Sequence, residues 1–299
     1  MEKPKLSVAI ATRNEEKKIK DCLESVSWSD EIVVFDEKSS DKTVAIAKKY
    51  TDKIFLVNHN PMFHKTKQQA IDKCSGDWIL QIDADERVSK ELKQEIITAI
   101  NNSQYDAYKM PRKSEIFGKW MEHTGWYPDY QIKLFKKGHG HYACENIHED
   151  ITIKGSLGTL KNDLQHFHYK IISEYLLRHD VYTTNDAIYI LSKGESVVWT
   201  DAIRFPADEF LKRFFFWEGY KDGLHGLVLS LLQSFDRLIV FAKIWEKQMF
   251  WQHDSVNFRQ QVVDYSGKIR SDWNYWLAAT EKNSLKKIHY KIKRRISLL

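Results

Sequence analysis

Three short stretches of the chain carry the residue types that hold a polyanion. Thr12-Arg13-Asn14-Glu15 closes the apolar run LSVAIAT (6–12), Asp36 ends EIVVFD (31–36), and Asp83-Ala84-Asp85 closes WILQID (78–83). Each run is short, nearly continuous and rich in β-formers, the signature of a strand covered on both faces. Ligands of an open α/β sheet bind at the carboxyl ends of its strands, so the three strand ends bring these groups to one rim. Asp83 and Asp85 stand two apart, and a turn at a strand end can aim both carboxylates at one ion. Hard carboxylate oxygens suit Mg²⁺ or Mn²⁺, which in turn clamp a diphosphate. The plainer reading is that the two aspartates cap the next helix; it leaves Asp36 and the Thr-Arg-Asn-Glu loop unexplained.

The elements that must position these groups alternate regularly. Asn14 is placed to cap a helix whose Ile19, Cys22, Leu23 and Val26 share one face. Ser40 or Asp41 starts a second helix through Lys49, and KIFLVN (53–58) reads as a third strand. A helix over 66–74 leads into WILQID, and Ser89 caps another that carries Val88, Leu92, Ile96 and Ile100 on one side. Such alternation predicts right-handed βαβ units and a parallel sheet with helices on both faces. After residue 104 the rhythm changes: YDAYKMP (105–111), YQIKLFK (130–136) and ITIKGSLGTLKNDLQHFHY (151–169) supply further strands. From Ile172 onward the pattern is helical. The expectation is two domains, an α/β domain over 1–170 and a helical region over 171–299.

Composition narrows the class. The 299 residues are 42% hydrophobic and 29% charged, enough apolar content for a core and unlike a disordered tail. Forty-six Lys and Arg against 41 Asp and Glu give +5, too mild for a dedicated nucleic-acid binder. The three cysteines, Cys22, Cys74 and Cys144, are scattered and odd in number, which fits a reducing cytoplasm better than a disulfide framework. No signal peptide is legible at the start, and no apolar run is long enough to span a bilayer. Neither a G-x-x-x-x-G-K-[ST] loop nor a G-x-G-x-x-G follows the first strand, which removes the main support for P-loop and dinucleotide-binding readings.

Read in order, SVAIATRNEEKKIKDCLESV, EIVVFDEKSSDKTVAIAKKY and SGDWILQIDADERVS resemble a family 2 glycosyltransferase of the GT-A fold. GWYPDYQIKLFKKG, NIHE, LKNDLQHFHY, RHDVYTTNDA and YKDGLHGLVLSLLQSFDRLIVFAKIWE extend the resemblance to the bacterial lipopolysaccharide core β-1,4-glucosyltransferase group, over residues 5–247. The resemblance implies a GT-A, Rossmann-like, mostly parallel sheet and an inverting transfer of a hexose, glucose from UDP-glucose, to a glycan or glycolipid acceptor. It implies that Thr12, Arg13, Asn14 and Glu15 line the uridine and ribose pocket and that Asp36 meets the uracil edge. Lys67, Gln68, Asp83 and Ala84 would face the nucleotide sugar, and Asp83, Asp85 and His166 the metal. Two departures stand out: Glu37-Lys38-Ser39-Ser40 replaces a Ser-Gly-Ser turn, and Met62–Thr66 lacks the glycines expected there.

An inverting transfer needs a carboxylate to take the acceptor hydroxyl's proton. Glu149 occupies the family's His-Glu position, and Asp129 in WYPDY is the second candidate. Trp120, Trp126 and Tyr127 are candidate sugar platforms, or core. His139, His141, Cys144 and His148 form a competing run of zinc-type ligands. The segment 222–245 has Leu224, Leu227, Val228, Leu231 and Phe235 on a wide apolar face and Gly226, Ser230, Gln233 and Arg237 on a narrower polar stripe. That helix packs in the core or a dimer interface, or lies on an anionic leaflet beside the basic tail. The expected location is cytoplasmic, peripheral at the inner face of the cytoplasmic membrane. The rival readings are a sugar-nucleotide nucleotidyltransferase, which would carry a Gly-rich basic loop after strand one, and a non-catalytic membrane-binding module, which would not need Asp83 and Asp85.

Overall fold

LSVAIAT forms the central strand β1 (Leu6–Thr12), in which Val8, Ala9 and Ile10 are completely buried. Alternation splits them between two faces, with Val8 and Ile10 in one apolar cluster and Ala9 in another. The computed structural model describes residues 3–144 and 150–297. They fall into two compact units, Met1–Trp120 with Tyr127–His168, and Met121–Trp126 with Tyr169–Leu299.

In the first unit β1 is followed by α1 (Ile19–Val26), β2 (Glu31–Asp36), α2 (Thr43–Ala47), β3 (Ile54–Leu56), α3 (Phe63–Lys73) and β4 (Trp78–Asp83). Next come β5 (Glu86–Val88), α4 (Lys90–Asn102), β6 (Ala107–Ile116), β7 (Lys119–Trp120) and β8 (Asp129–Lys136). The short strands β9 (Gly140–His141), β10 (Thr152–Ile153), β11 (Leu157–Thr159) and β12 (Leu164–Phe167) complete it. The main sheet runs β3-β2-β1-β4-β8-β6-β12-β5, with β7 and β11 also on β6. Strands β3, β2, β1 and β4 are parallel, as the crossover helices require. Beyond β4 the sheet is mixed: β8 is antiparallel to both β4 and β6, while β12 is parallel to β6. One face is covered by Ile19, Leu23 and Val26 of α1 and Leu92 and Ile96 of α4, the other by Ala70 and Ile71 of α3.

Ser89 caps α4, its side chain accepting from the Leu92 amide at 3.1 Å. Asn14 does not cap α1, which begins five residues later; it turns the chain with φ +54° instead. Lys38 also adopts positive φ, +53°, at the departure from the expected glycine-bearing turn.

Glu31 fixes the edge of this framework. Its carboxylate accepts from the Ser75 amide at 2.7 Å and hydroxyl at 2.8 Å, and also engages Ser7 and Lys53. Partial burial would raise its pKa, yet Lys53 and the serine donors lower it to about 2. A carboxylate depressed in the folded state adds stability above its unfolded pKa and loses it as pH falls toward the folded value. We therefore expect Glu31→Gln to cost about 1–2 kcal/mol at neutral pH. In urea titrations the difference from wild type should shrink between about pH 4.5, the ordinary glutamate value, and pH 2.

The second unit contains α5 (Ile172–Ser192), α6 (Asp201–Leu211), a π-helical turn over 212–216, a 3-10 turn over 219–222, α7 (Leu224–Lys247), α8 (Phe258–Thr280) and α9 (Ser284–Ile296). The first half of helix α7 packs with its small and polar stripe inward: Gly226, Ser230, Gln233 and Asp236 are buried beside Leu229, while Leu224, Leu231 and Phe235 are exposed; its second half buries Val240, Phe241 and Ile244. Close approach is the cause. A Cβ on Gly226 would lie 1.8 Å from the Gly219 carbonyl oxygen. The buried polar groups are satisfied: Tyr175 donates to Asp236 at 2.6 Å, Gln233 to the Tyr175 hydroxyl at 2.6 Å, and His179 Nδ1 lies 2.6 Å from Asp236.

Candidate active site

The carboxyl ends of β1, β2 and β4 lie side by side in register, with Thr12 opposite Asp36 and Ala11 opposite Asp83. The first rim is a laced pair of loops. The Asn14 amide donates to Ser39 Oγ at 2.7 Å, the Ser40 amide to Asn14 Oδ1 at 2.8 Å, and the Glu15 amide to Thr43 Oγ1 at 2.8 Å. Asp36 is completely buried and accepts from the Ser39 amide at 2.7 Å and hydroxyl at 2.6 Å. It therefore shapes the turn that holds Asn14. Glu37 is also buried and joins this rim to the next connection, accepting from Thr66 Oγ1 at 2.5 Å and lying 2.6 Å from His59 Nδ1. Thr12 Oγ1 is buried with no hydrogen-bond partner, while Arg13 is exposed. A buried hydroxyl left unsatisfied beside a polar rim is suited to an incoming hydroxyl or carbonyl.

The two aspartates after β4 enter different ionic sets. Asp83 Oδ1 lies 2.6 Å from Lys67, and Oδ2 lies 3.3 Å from Lys133. Burial would raise the Asp83 pKa, but Lys133 and then Lys67 hold it far below the ordinary carboxylate range. Lys133 also donates to the fully buried Glu86 at 2.8 Å, and Glu86 lies 3.6 Å from Arg112. Arg112 in turn grips Asp129 Oδ2 through Nε at 2.8 Å and Nη2 at 2.6 Å, while Gln131 donates to Asp129 Oδ1 at 2.8 Å. Both oxygens of Asp129 are thus engaged. Gln68 turns toward the following segment and accepts from the Tyr142 amide at 2.8 Å.

Asp85, by contrast, meets two histidines. Its Oδ2 lies 3.6 Å from His166 Nε2, and one donor atom each from Asp85, His166 and His168 falls within 4.8 Å of the others. His166 is oriented from behind by Ser114, whose hydroxyl lies 2.9 Å from Nδ1, which leaves Nε2 for the cluster. Lys18, buried, donates to the His168 carbonyl at 2.9 Å and sits 3.8 Å from Asp85. Burial pushes the Asp85 pKa up, but His166, then Lys18 and His168, hold it well below the usual range. Arg87 clamps the turn by donating to the carbonyls of Ala84, Glu86 and Lys18. One carboxylate and two imidazoles form a mixed oxygen and nitrogen donor set that fits a borderline divalent ion such as Mn²⁺.

Of the residues singled out from sequence, the structure brings Asp85 and His166 together and adds His168. Asp83 stays with the lysines and outside that cluster. Glu149 and His148 lie outside the described residues, so the zinc-type run is described only in part. Within it, His139 Nδ1 lies 2.6 Å from the Lys154 carbonyl, and Cys144 is half-buried. Trp120 packs edge-on against Phe167 at 5.3 Å, Lys113 lies 5.5 Å over the Tyr127 ring, and in the second unit Arg213 lies 5.7 Å over Trp126.

Residues 7–152 match the profile of glycosyl transferase family 2. The lipopolysaccharide core biosynthesis glycosyltransferase LpsC of Rhizobium meliloti is 27% identical over 251 residues, 81% of this chain and 92% of that protein. An uncharacterized glycosyltransferase of Rickettsia typhi is 28% identical over 292 residues, 89% of this chain and 95% of that protein. Among solved structures, residues 1–349 of Staphylococcus aureus TarS in complex with UDP align over 98% of this chain and 89% of that one, with 15% identity and a TM-score of 0.44.

Proposed function

We propose that this chain, which belongs to glycosyl transferase family 2 through residues 7–152, is a metal-dependent, inverting hexosyltransferase that uses a UDP-sugar. The observation that carries the reading is the Asp85, His166 and His168 cluster beside the laced rim at Thr12–Glu15 and Asp36. When bound there, Mn²⁺ or Mg²⁺ supplies Lewis-acid stabilisation of the charge that develops on the leaving diphosphate. Asp85, His166 and His168 hold the ion, and Ser114 keeps the His166 ring turned to present Nε2. Lys67 and Lys133 keep Asp83 ionised, so it can accept from the ribose hydroxyls. Thr12 and the Asn14 turn line the uridine end.

Glu149 is the base in this account. It takes the proton of the acceptor hydroxyl as that oxygen forms its bond to the anomeric carbon and the bond to UDP breaks on the opposite face. The engagement of both Asp129 oxygens by Arg112 and Gln131 favours Glu149 over Asp129. We assign glucose as the donor sugar from the sequence resemblance. A glycan or glycolipid acceptor of the lipopolysaccharide core type is supported by the likeness to LpsC. Such an acceptor is assembled at a membrane, so the reading includes a peripheral contact at the inner face of the cytoplasmic membrane.

Release of UDP from a panel of UDP-sugars with Mn²⁺, with and without deacylated lipopolysaccharide core acceptors, tests the proposal. Acceptor-stimulated turnover of UDP-glucose supports it. Turnover of a nucleoside triphosphate and sugar phosphate instead would establish the nucleotidyltransferase alternative.

A further inference from the structure

Helix α9 has an unusual surface for the end of a folded unit. Leu285, Ile288, Ile292 and Ile296 recur on one face and are 78, 54, 54 and 63% exposed. Lys286 and Lys293 flank this row on one side, Lys291 and Arg295 on the other, and the segment 284–297 contains no acidic residue. The helix is preformed: Asn283 Oδ1 accepts from the amides of Leu285 at 3.0 Å and Lys286 at 3.1 Å. Its opposite side is anchored on α8, where the Arg294 guanidinium lies 4.8 Å over the Tyr275 ring and Asn274 donates to Ser297 Oγ at 3.4 Å. Close approach at that end leaves no room for a side chain on Gly267, whose Cβ would lie 2.9 Å from the Ser297 carbonyl. The anchoring turns the apolar row away from α8.

We infer that α9 is the element that seats this protein on a membrane, with Leu285, Ile288, Ile292 and Ile296 inserted among the acyl chains and the flanking lysines and arginines on anionic phospholipid headgroups. The inference rests on the peripheral reading above and names the surface that makes the contact. An apolar stripe bordered by cations fits the plane between headgroup and acyl chain. Helix α7, the element that the sequence pattern first offers for this role, fits it less well. It has no Lys or Arg from Leu224 to Phe235, so its exposed leucines lack flanking cations. Among the described residues no helix is long and apolar enough to cross a membrane, so the contact is with a surface. A nucleic acid would use the cations but not the apolar row.

The test is co-sedimentation of the full chain with phosphatidylglycerol–phosphatidylcholine vesicles and with pure phosphatidylcholine vesicles, at low and molar salt. Wild type should bind the anionic vesicles only, and molar salt should weaken binding. Ile288→Asp with Ile292→Asp should abolish it. Lys291→Glu with Arg295→Glu should lower partitioning roughly tenfold or more, and so should Lys286→Glu with Lys293→Glu on the other flank. All six positions are exposed, and unchanged melting of each variant excludes misfolding. UDP titration of the same variants should match wild type, which separates failure of this inference from failure of the transferase reading. Three outcomes would overturn the inference: equal binding to neutral vesicles, variants that bind like wild type, or a wild-type dimer dissolved by the Ile→Asp pair without any vesicle binding. Binding to RNA that depends on the cations and ignores the isoleucines would overturn it as well.

Discussion

Asp85→Ala is expected to lower turnover of the UDP-sugar by roughly three orders of magnitude, the scale of several kcal/mol of lost charge stabilisation in the transition state. The carboxylate is the anionic member of the only three-residue donor cluster found among the described residues. Its loss leaves two neutral-ligand imidazoles and the nearby Lys18 cation, 3.8 Å away in the wild type, which disfavours a divalent ion. Lys18 keeps its bond to the His168 carbonyl, and Arg87 keeps the β4–β5 turn, so the fold should survive. Steady-state rates over a Mn²⁺ series, with melting curves as the folding control, check the prediction. His168→Ala should raise the Mn²⁺ concentration needed for half-maximal rate roughly ten- to a hundredfold, because it removes one donor and leaves two. An Asp85→Ala rate within a few-fold of wild type would show that the cluster has no part in turnover.

The second large effect is expected at Glu149. Glu149→Gln removes the proton acceptor and keeps the shape, and should lower kcat by roughly 10²–10⁴. UDP affinity should stay near wild type, since the base acts on the acceptor side. Asp129→Asn should behave differently. It removes the negative charge from the two-pronged grip of Arg112, a largely buried guanidinium that then relies on Glu86 and Asp83 for compensation, so the loss should register in the melting temperature as well as in the rate. Rates and melting curves for the two variants, measured side by side, discriminate the base from the scaffold. A large kcat loss confined to Asp129→Asn would reverse the assignment.

The parallel half of the sheet was legible because its strands are buried on both faces and so read as apolar runs, β1 and β4 most clearly. The mixed half was only partly legible: β10, β11 and β12 are two to four residues long, too short for a period to register. His168 carried a signal that could have been used. His166 and His168 stand two apart at the end of a strand, and positions two apart share a face. Of the two lysines at Asp83, Lys67 was named with it by the family resemblance, whereas Lys133 comes from β8 and nothing in its local sequence placed it there. Helix α7 was legible as a helix with an apolar and a polar side, but not which side its first half buries. A wide apolar face usually points inward, but here the approach of Gly226 to the Gly219 carbonyl and the satisfied Tyr175, Gln233 and Asp236 network turn the polar stripe in. Hydrogen-bonded polar groups bury at little net cost, so composition alone does not decide which face is inside.

The decisive measurement is calorimetric titration of UDP into the wild-type chain, first with Mn²⁺ and then with EDTA. Saturable binding with Mn²⁺ that EDTA abolishes or weakens severely is expected, followed by UDP-glucose binding at the same stoichiometry. No UDP binding under either condition would contradict the nucleotide-sugar site, and equal binding with and without the metal would contradict the role given to Asp85, His166 and His168.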